Sequence, residues 1–337
     1  MYNESFKIQF LDTIQNDNTR NTIKYMFAIT EQFEENLRKD LAEFSREELL
    51  WMFNTDNSST TSSSVESRVS FMRIYFKWAK SNGLDVDIDA LTYVRKSEYV
   101  VGMIDKYVFS PSHLNDYLDA VFDKVELDTA DLIFRGLFWL AFMGVPYKYA
   151  EGLMAKHVDT NDGSVMVGGE YFPMFAESID VFKRLKTLTQ FRFVHPLYKQ
   201  DTWKDRLDNG MLLRGFQRSN TWKNNDKSDG KRHHTIASDA TSKLKKAIKD
   251  GVVRASITYE SVRRSGMFYK MFVREQSGIE VNFTVFAMKE YSIDNEDKER
   301  ADDAAVKASI SRRRKHMTKD YECWKLAMNS LNENSLR

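Results

Sequence analysis

The chain has 337 residues, of which 42% are hydrophobic and 13% aromatic, enough to build packed cores in two domains of ordinary size. Its formal net charge is +1, so overall charge alone argues against a nucleic-acid binder. The single cysteine, Cys323, excludes an intramolecular disulfide and a cysteine-rich zinc site. The longest apolar run, Gly136 to Val145, is too short to span a bilayer, and the N-terminus shows no signal-peptide pattern. We therefore expect a cytoplasmic protein, not a membrane protein.

Capping residues and helical spacing organise the N-terminal part of the chain. Ser45 and Glu48 form a Ser-x-x-Glu capping box, which predicts a helix start. The polar tract 54–64 predicts a loop, and Ser64 is placed to cap the next helix. That helix presents one apolar side at three- and four-residue spacing, formed by Val65, Val69, Met72 and Phe76. Residues 84–106 lack strong periodicity and are interpreted as an interdomain linker.

The second part of the chain is also predicted to be mostly helical. Pro111 after Ser110 marks a helix start. The apolar stretch 131–143 predicts a buried helix, whose aromatic residues belong to a core rather than to a base-stacking platform: Phe134, Phe138, Trp139 and Phe142. Gly136 in this helix predicts close approach of a neighbouring helix, because glycine there costs about 1 kcal/mol relative to alanine. The pair Gly168-Gly169 predicts the turn of a β-hairpin, the clearest sheet signal in the chain.

Basic residues are unevenly distributed. From Lys204 to Arg254 there are thirteen Lys and Arg against six Asp and Glu, a local surplus of seven positive charges. A basic face on a near-neutral protein is typical of a surface that contacts phosphates. His233 and His234 have no third ligand at a suitable interval, so the sequence predicts no metal site and no cofactor. The basic run 312–315 predicts DNA contact, docking on a partner subunit, or plain surface, and these alternatives stay open.

The segment Ile257 to Phe268, ITYESVRRSGMF, resembles the arginine-bearing box of the tyrosine recombinases, or phage integrases. Arg263 occupies the arginine position of that box. Glu260 stands three residues earlier, where the family holds a histidine. An acid at that position would repel a phosphodiester, so the resemblance implies a chain shaped to embrace DNA whose chemical centre is incomplete.

The resemblance covers nearly the whole chain. Residues 5–80 are similar to the helical, SAM-like core-binding half of integrases, and 110–156 to the opening of their catalytic half. In the family, the arginine of a Thr-Gly-x-Arg-x-x-Glu-Leu motif clamps the scissile phosphate. If this chain is aligned with that motif on Gly144, Pro146 stands at the arginine position, and if it is aligned on Glu151, Lys148 stands there. The hairpin SVMVGGEYFPM has no lysine in its turn. The nucleophilic tyrosine is expected about thirty residues after Arg263, and Tyr291 falls slightly early.

This resemblance implies a mainly α fold with a small β-hairpin or sheet. The expected organisation is a helical core-binding domain at 1–83, a linker at 84–106 and an integrase catalytic-like domain at 107–337 without a catalytic set. The expected contacts to double-stranded DNA are Thr19, Arg20, Thr22, Lys24, Arg68, Arg73 and Lys77 in the first domain, and Arg232, His233, Arg254, Arg263 and Arg264 in the second.

The segment SFKIQFLDTIQNDNTRNTIKYMF, together with the incomplete catalytic set, resembles the master repressor family of SPβ-like phages, the MrpR/YopR family. That resemblance implies a sequence-specific transcriptional repressor, not an enzyme, that maintains lysogeny by binding operator sites at the nucleoid. Self-association and a protein anti-repressor are the other expected partners. Two alternatives stay open: an active recombinase with Tyr291 as nucleophile, and an accessory DNA-bending factor.

Overall fold

A computed structural model describes residues 1–55, 62–91, 107–122, 129–194, 201–205, 210–213, 243–253, 257–294 and 303–335. These residues group into two compact units, one within 1–105 and 282–337 and the other within 106–281. The chain is mainly helical with a small three-stranded antiparallel sheet, as the sequence predicts. No helix of the described ranges combines the length and apolarity that crossing a membrane requires.

The helices are α1 (Glu4–Asp12), α2 (Asp17–Leu37), α3 (Arg46–Thr55), α4 (Ser62–Ser81), α5 (Pro111–Val121), α6 (Thr129–Phe142), α7 (Tyr147–Ala150), α8 (Ala176–Thr187), α9 (243–249), α10 (Tyr259–Gln276), α11 (Phe283–Asp294) and α12 (Asp303–Ser335). The strands are β1 (Val158–Asp159), β2 (Ser164–Val167), β3 (Glu170–Pro173), β4 (Gln190–Val194) and β5 (Asp201–Asp205). Short 3-10 helices lie at Leu41–Glu43, Ile88–Leu91 and Ala155–His157.

Capping chemistry sets several helix starts. The backbone N–H of Ser45 donates to Glu48 Oε2 at 2.7 Å, and the backbone N–H of Glu48 donates to Ser45 Oγ at 3.3 Å. This reciprocal pair confirms the predicted capping box. Ser110 caps α5, with Pro111 at the first helical position, also as predicted. The prediction for Ser64 is wrong, because α4 already includes Ser62 and therefore places Ser64 inside the helix.

An aromatic core holds the first unit together. Tyr75 lies at its centre, with its ring centroid 5.0 Å from that of Phe10 and 4.8 Å from that of Phe27. The Tyr75 hydroxyl donates to both carboxylate oxygens of Asp40, at 2.8 and 2.9 Å. Burial, followed by the negative charge of Asp40, raises the pKa of Tyr75 far above its usual value. Aromatic packing thus fixes α4 against α1 and α2, while the hydroxyl ties α4 to the chain before α3.

A fully buried ion pair joins α1 to α2 in the same unit. Lys7 Nζ contacts both carboxylate oxygens of Glu34, and neither side chain is exposed to solvent. Glu34 also accepts a hydrogen bond from the Thr30 hydroxyl and one from the backbone N–H of Leu41. Burial raises the pKa of Glu34, although the charge of Lys7 opposes the change. Removing either partner would leave an unpaired buried charge, so the pair is a structural requirement of the unit.

Part of the predicted linker belongs to the first unit. The 3-10 helix Ile88–Leu91 contacts α3 and α4, and Val86, Ala90 and Leu91 are buried. The linker at 84–106 stays a prediction, and within its first part these apolar side chains fill the space between two helices. Residues 92–106 lie outside the described residues.

The C-terminal helices also group with the first unit. Helices α11 and α12 pack against each other, and α12 contacts α4. Buried residues of α12 include Tyr321 and Trp324, whose rings stack at 6.2 Å between centroids. The predicted domain boundary placed these helices with residues 107–281, so the structure divides the chain differently.

Helix α6 is the central element of the second unit. Nearly every residue from Thr129 to Phe142 is buried, and α6 contacts α8 and α10. Its four predicted core aromatics are all buried, as expected: Phe134, Phe138, Trp139 and Phe142. A Cβ added at Gly136 would lie 2.4 Å from Leu185 Cδ1 of α8, which confirms the predicted close approach of a neighbouring helix.

The sheet lies beside this helical core. Strands β1, β2 and β3 are antiparallel in that order, and Val167 pairs with Glu170 across the predicted turn. Gly168 and Gly169 have φ of 57° and 81°, values that glycine adopts readily and that a two-residue hairpin turn requires. A second antiparallel pair, β4 with β5, was not predicted from the sequence. Aromatic and charged residues alternate there without a glycine-rich turn to mark it.

Candidate nucleic-acid interface

The start of α2 holds the first predicted DNA contacts. Asn16 caps the helix by accepting a hydrogen bond from the backbone N–H of Thr19 at 3.0 Å. The Arg20 guanidinium donates to the carbonyl of Ile14 at 2.6 and 3.1 Å and to the carbonyl of Leu11 at 3.2 Å. Arg20 thereby satisfies carbonyls at the end of α1, a structural use of its donors that the sequence did not reveal.

The exposed side of α2 bears the next two predicted contacts. Thr22 is exposed, and its hydroxyl donates to the Asn18 carbonyl at 2.8 Å. Lys24 is exposed as well, but it lies on another side of the helix from Thr22. Tyr25 is 63% exposed and lies three residues after Thr22, on the same side. Tyr25 was not among the predicted contacts, and its exposure beside Thr22 makes it a further candidate.

Helix α4 brings two of its three predicted contacts together. Arg73 and Lys77 are exposed and lie four residues apart, next to the buried side of the helix. Arg73 Nη2 makes one long hydrogen bond, 3.4 Å, to the Leu91 carbonyl. Arg68 is half-buried and lies on a different side of the helix. We call Arg73 and Lys77 the α4 basic row.

Of the predicted contacts in the second unit, Arg263 and Arg264 are described. They lie near the start of α10. Arg232, His233 and Arg254 lie outside the described residues, so the predicted cluster of five basic residues stays a prediction.

The start of α10 is joined to the start of α7. A capping box begins α10: the backbone N–H of Ser261 donates to Thr258 Oγ1 at 3.1 Å, and the backbone N–H of Thr258 donates to Ser261 Oγ at 2.8 Å. The Tyr259 hydroxyl donates to the carbonyl of Val145 at 2.7 Å. The ring of Tyr259 also meets that of Tyr147 edge to face, with 5.1 Å between centroids. The two segments that resemble recombinase boxes therefore adjoin in space.

Glu260 is engaged with two arginines at this junction. Its carboxylate accepts hydrogen bonds from Arg263 Nε and Nη2, both at 2.9 Å, and from Arg264 Nε at 3.3 Å. Burial alone would raise the pKa of Glu260, but hydrogen bonds and charge from Arg263, with Arg264, outweigh burial and hold the pKa below its usual value. Glu260 is therefore a carboxylate that occupies the guanidinium fork of Arg263, in the geometry that a phosphate would use.

The other recombinase-like positions carry no second guanidinium. Pro146 is the N-cap of α7, and Lys148 is exposed with its Nζ 4.8 Å from the centroid of Tyr149. A lysine presents a point charge and lacks the planar fork of arginine, so it does not replace a bidentate phosphate clamp. The β2–β3 turn consists of Gly168 and Gly169.

Two tyrosines follow α10 in the chain. Tyr291 is half-buried in α11, and the Arg313 guanidinium lies 5.8 Å from its ring centroid. Tyr321 is 2% exposed, so its hydroxyl cannot reach a phosphate while α12 stays packed. Within the residues that the structure describes, no group of three His, Cys, Asp or Glu side chains is arranged to hold a metal ion.

The first unit thus contains a helical N-terminal bundle with exposed hydroxyl and basic side chains on α2 and α4. Residues 1–81 match the family model described as the MrpR N-terminal core-binding domain. The predicted resemblance to that family is confirmed over this part of the chain. Comparison with curated proteins gives no match.

Proposed function

We propose that the protein is an MrpR-like, sequence-specific repressor that binds double-stranded DNA at operator sites and keeps a prophage silent. It acts at the nucleoid, in the bacterial cytoplasm. The observation that carries this proposal is the α4 basic row within the MrpR-type core-binding domain. Exposed Arg and Lys side chains on one side of a helix are suited to phosphate contacts, which position a protein on the duplex. Thr22 and Tyr25 on α2 add hydrogen-bonding groups to the same unit.

We further propose that this protein binds DNA without cleaving it. Phosphoryl transfer needs several cationic donors around the scissile phosphate, because charge develops on its oxygens in the transition state. Here Arg263 is paired with Glu260, and the neighbouring candidates are Pro146 and Lys148. The alternative is an active recombinase with Tyr291 as nucleophile. It is favoured by the presence of Arg263 at the arginine position of the recombinase-like box.

One experiment addresses both proposals. Gel shifts with phage promoter fragments test binding, and a nicked suicide substrate tests for a covalent protein–DNA adduct. We expect specific shifts and no adduct. A phosphotyrosyl adduct through Tyr291 would establish the recombinase instead, and no shift with any fragment would refute the repressor.

A salt titration locates the surface. Replacing Arg73 and Lys77 by glutamine should make the slope of log K against log salt shallower by about two units, because each lost phosphate contact is worth about 0.9. The matched control replaces Lys183 and Arg184, one lysine and one arginine exposed on α8. An equal change in the control would show that overall charge, and not the α4 basic row, governs binding.

A further inference from the structure

Helix α12 carries a second set of basic residues that the proposed function does not use. Arg312, Lys315, His316 and Lys319 follow the spacing that keeps side chains on one side of a helix. Arg312 and Lys315 are exposed, and within the described part of the chain neither makes a hydrogen bond, ion pair or ring contact. We call these four residues the α12 basic row.

Arg312 and Lys315 lie outside the packing surface of α12. Met317, Tyr321 and Trp324 are buried on another side of the helix, and the side of the row becomes buried only beyond Lys319, at Cys323. Arg313 is directed away from the row, toward the ring of Tyr291 on α11. Core packing therefore does not account for Arg312 and Lys315. Long cationic side chains without partners lose no internal contact when they bind an external anion.

An ion pair joins this row to α4. Lys319 Nζ lies 2.8 and 3.1 Å from the carboxylate oxygens of Glu66. Glu66 is on the same side of α4 as Arg73 and Lys77, at intervals of seven and eleven residues. The two basic rows therefore meet at Glu66, and Lys319 neutralises the acidic residue that would otherwise separate them.

The combined surface is large enough for several phosphates. At about 1.5 Å of rise per residue, the stretch from Glu66 to Lys77 extends about 16 Å along α4, and that from Lys319 to Arg312 extends about 10 Å along α12. Duplex DNA carries one phosphate per roughly 3.4 Å of axis on each strand. On α12 the surface ends at Glu322, an exposed acid seven residues after Lys315.

We infer that the α12 and α4 basic rows form one surface that contacts the phosphate backbone of duplex DNA, so that the C-terminal helix takes part in DNA binding. The inference rests on the proposed function and extends it to a segment outside the matched domain. Contacts of this kind add affinity and fix orientation but carry no sequence information.

The test uses the full chain and a labelled duplex of mixed sequence, alongside the promoter fragments. The double variant Arg312→Gln with Lys315→Gln should make the salt slope shallower by about two units. Two contacts of this kind account for roughly a tenfold change in affinity between about 50 and 200 mM salt. The exchange variant Arg312→Lys with Lys315→Arg keeps both charges and should retain the parent slope.

A matched control is available on the same helix. Lys307 and Arg314 are exposed, lie seven residues apart and point to the other flank of α12. Lys307 Nζ lies 3.9 Å from Asp303 Oδ2, a long distance for an ion pair. Replacing both by glutamine removes the same charge as the test variant and should leave the slope unchanged. Melting temperatures of all variants should equal that of the parent, because none of the replaced groups is buried.

The outcomes separate this inference from the proposed function. If the Arg312 and Lys315 variant keeps the salt slope of the parent while the Arg73 and Lys77 variant binds DNA more weakly, the inference is overturned and the proposed function stands. Equal loss in test variant and control also overturns it. So does an unchanged slope with lost self-association in sedimentation, which would assign the row to contacts between copies. A parent protein that binds no DNA refutes both.

Discussion

Gly266 is the position where replacing glycine by alanine is expected to cost the most stability. An ideal Cβ at Gly266 of α10 would lie 1.9 Å from the carbonyl oxygen of Phe142 and 2.6 Å from its carbonyl carbon. Both are backbone atoms at the end of α6, so no rotamer change can relieve the overlap. The two helices must separate, or one must bend. At Gly136 the nearest atom is Leu185 Cδ1 at 2.4 Å, the mobile end of a side chain.

The two positions allow a matched comparison of Gly→Ala. Alanine gains about 1 kcal/mol over glycine in a helix interior. Overpacking costs typically about 1–3 kcal/mol, with the lower end expected at Gly136 and at least the upper end at Gly266. Gly136→Ala should therefore be nearly neutral, while Gly266→Ala should lose about 2 kcal/mol. For a unit of this size, that loss corresponds to a melting temperature lower by about 4–8 °C.

Calorimetry of the full chain measures the difference, and hydrogen exchange of α6 and α10 amides assigns it to the second unit. Two units need not melt together, so exchange at these helices is the more direct readout. Equal melting temperatures and equal exchange for Gly266→Ala and Gly136→Ala would refute the reasoning. They would mean that α6 and α10 are farther apart in solution than this packing requires.

Three further expectations follow from the same structure. Gly136→Glu places a carboxylate in the core of the second unit, so we expect operator binding when cool and release on mild heating; a melting temperature equal to the parent's would contradict this. Glu260→Gln removes the charge that occupies Arg263, so affinity for DNA should rise and the salt slope steepen by about one unit; an unchanged slope would place Arg263 away from DNA. Tyr291→Phe should leave DNA binding and repression intact, as gel shifts and a reporter assay can measure, and lost repression with normal folding would count against the repressor proposal.

Local structure in this chain was largely predictable, because its causes lie within a few residues of each other. The box at Ser45 and Glu48 and the cap at Ser110 satisfy backbone groups three residues away. The turn at Gly168 and Gly169 follows from their freedom to adopt positive φ. The match over residues 1–81 likewise agrees with the resemblance drawn from the N-terminal segment.

Side-chain partners were predicted less well. Arg20 was predicted to contact DNA, yet it donates to carbonyls at the end of α1. Glu260 was expected to repel a phosphate, and the structure adds that it pairs with the fork of Arg263. Residue type states which hydrogen bonds a side chain can make. Its neighbours, which the fold supplies, select the bonds that form.

The sequence by itself determined the helical class, the caps at Ser45 and Ser110, the glycine turn and the buried character of α6, since each depends on local spacing and composition. Only the tertiary structure decided that α12 packs on α4, that residues 84–91 join the first unit and that Glu66 meets Lys319. These contacts join segments far apart in the chain. Many pairings of amphipathic helices bury similar apolar area, and shape complementarity, which a linear pattern does not encode, selects among them.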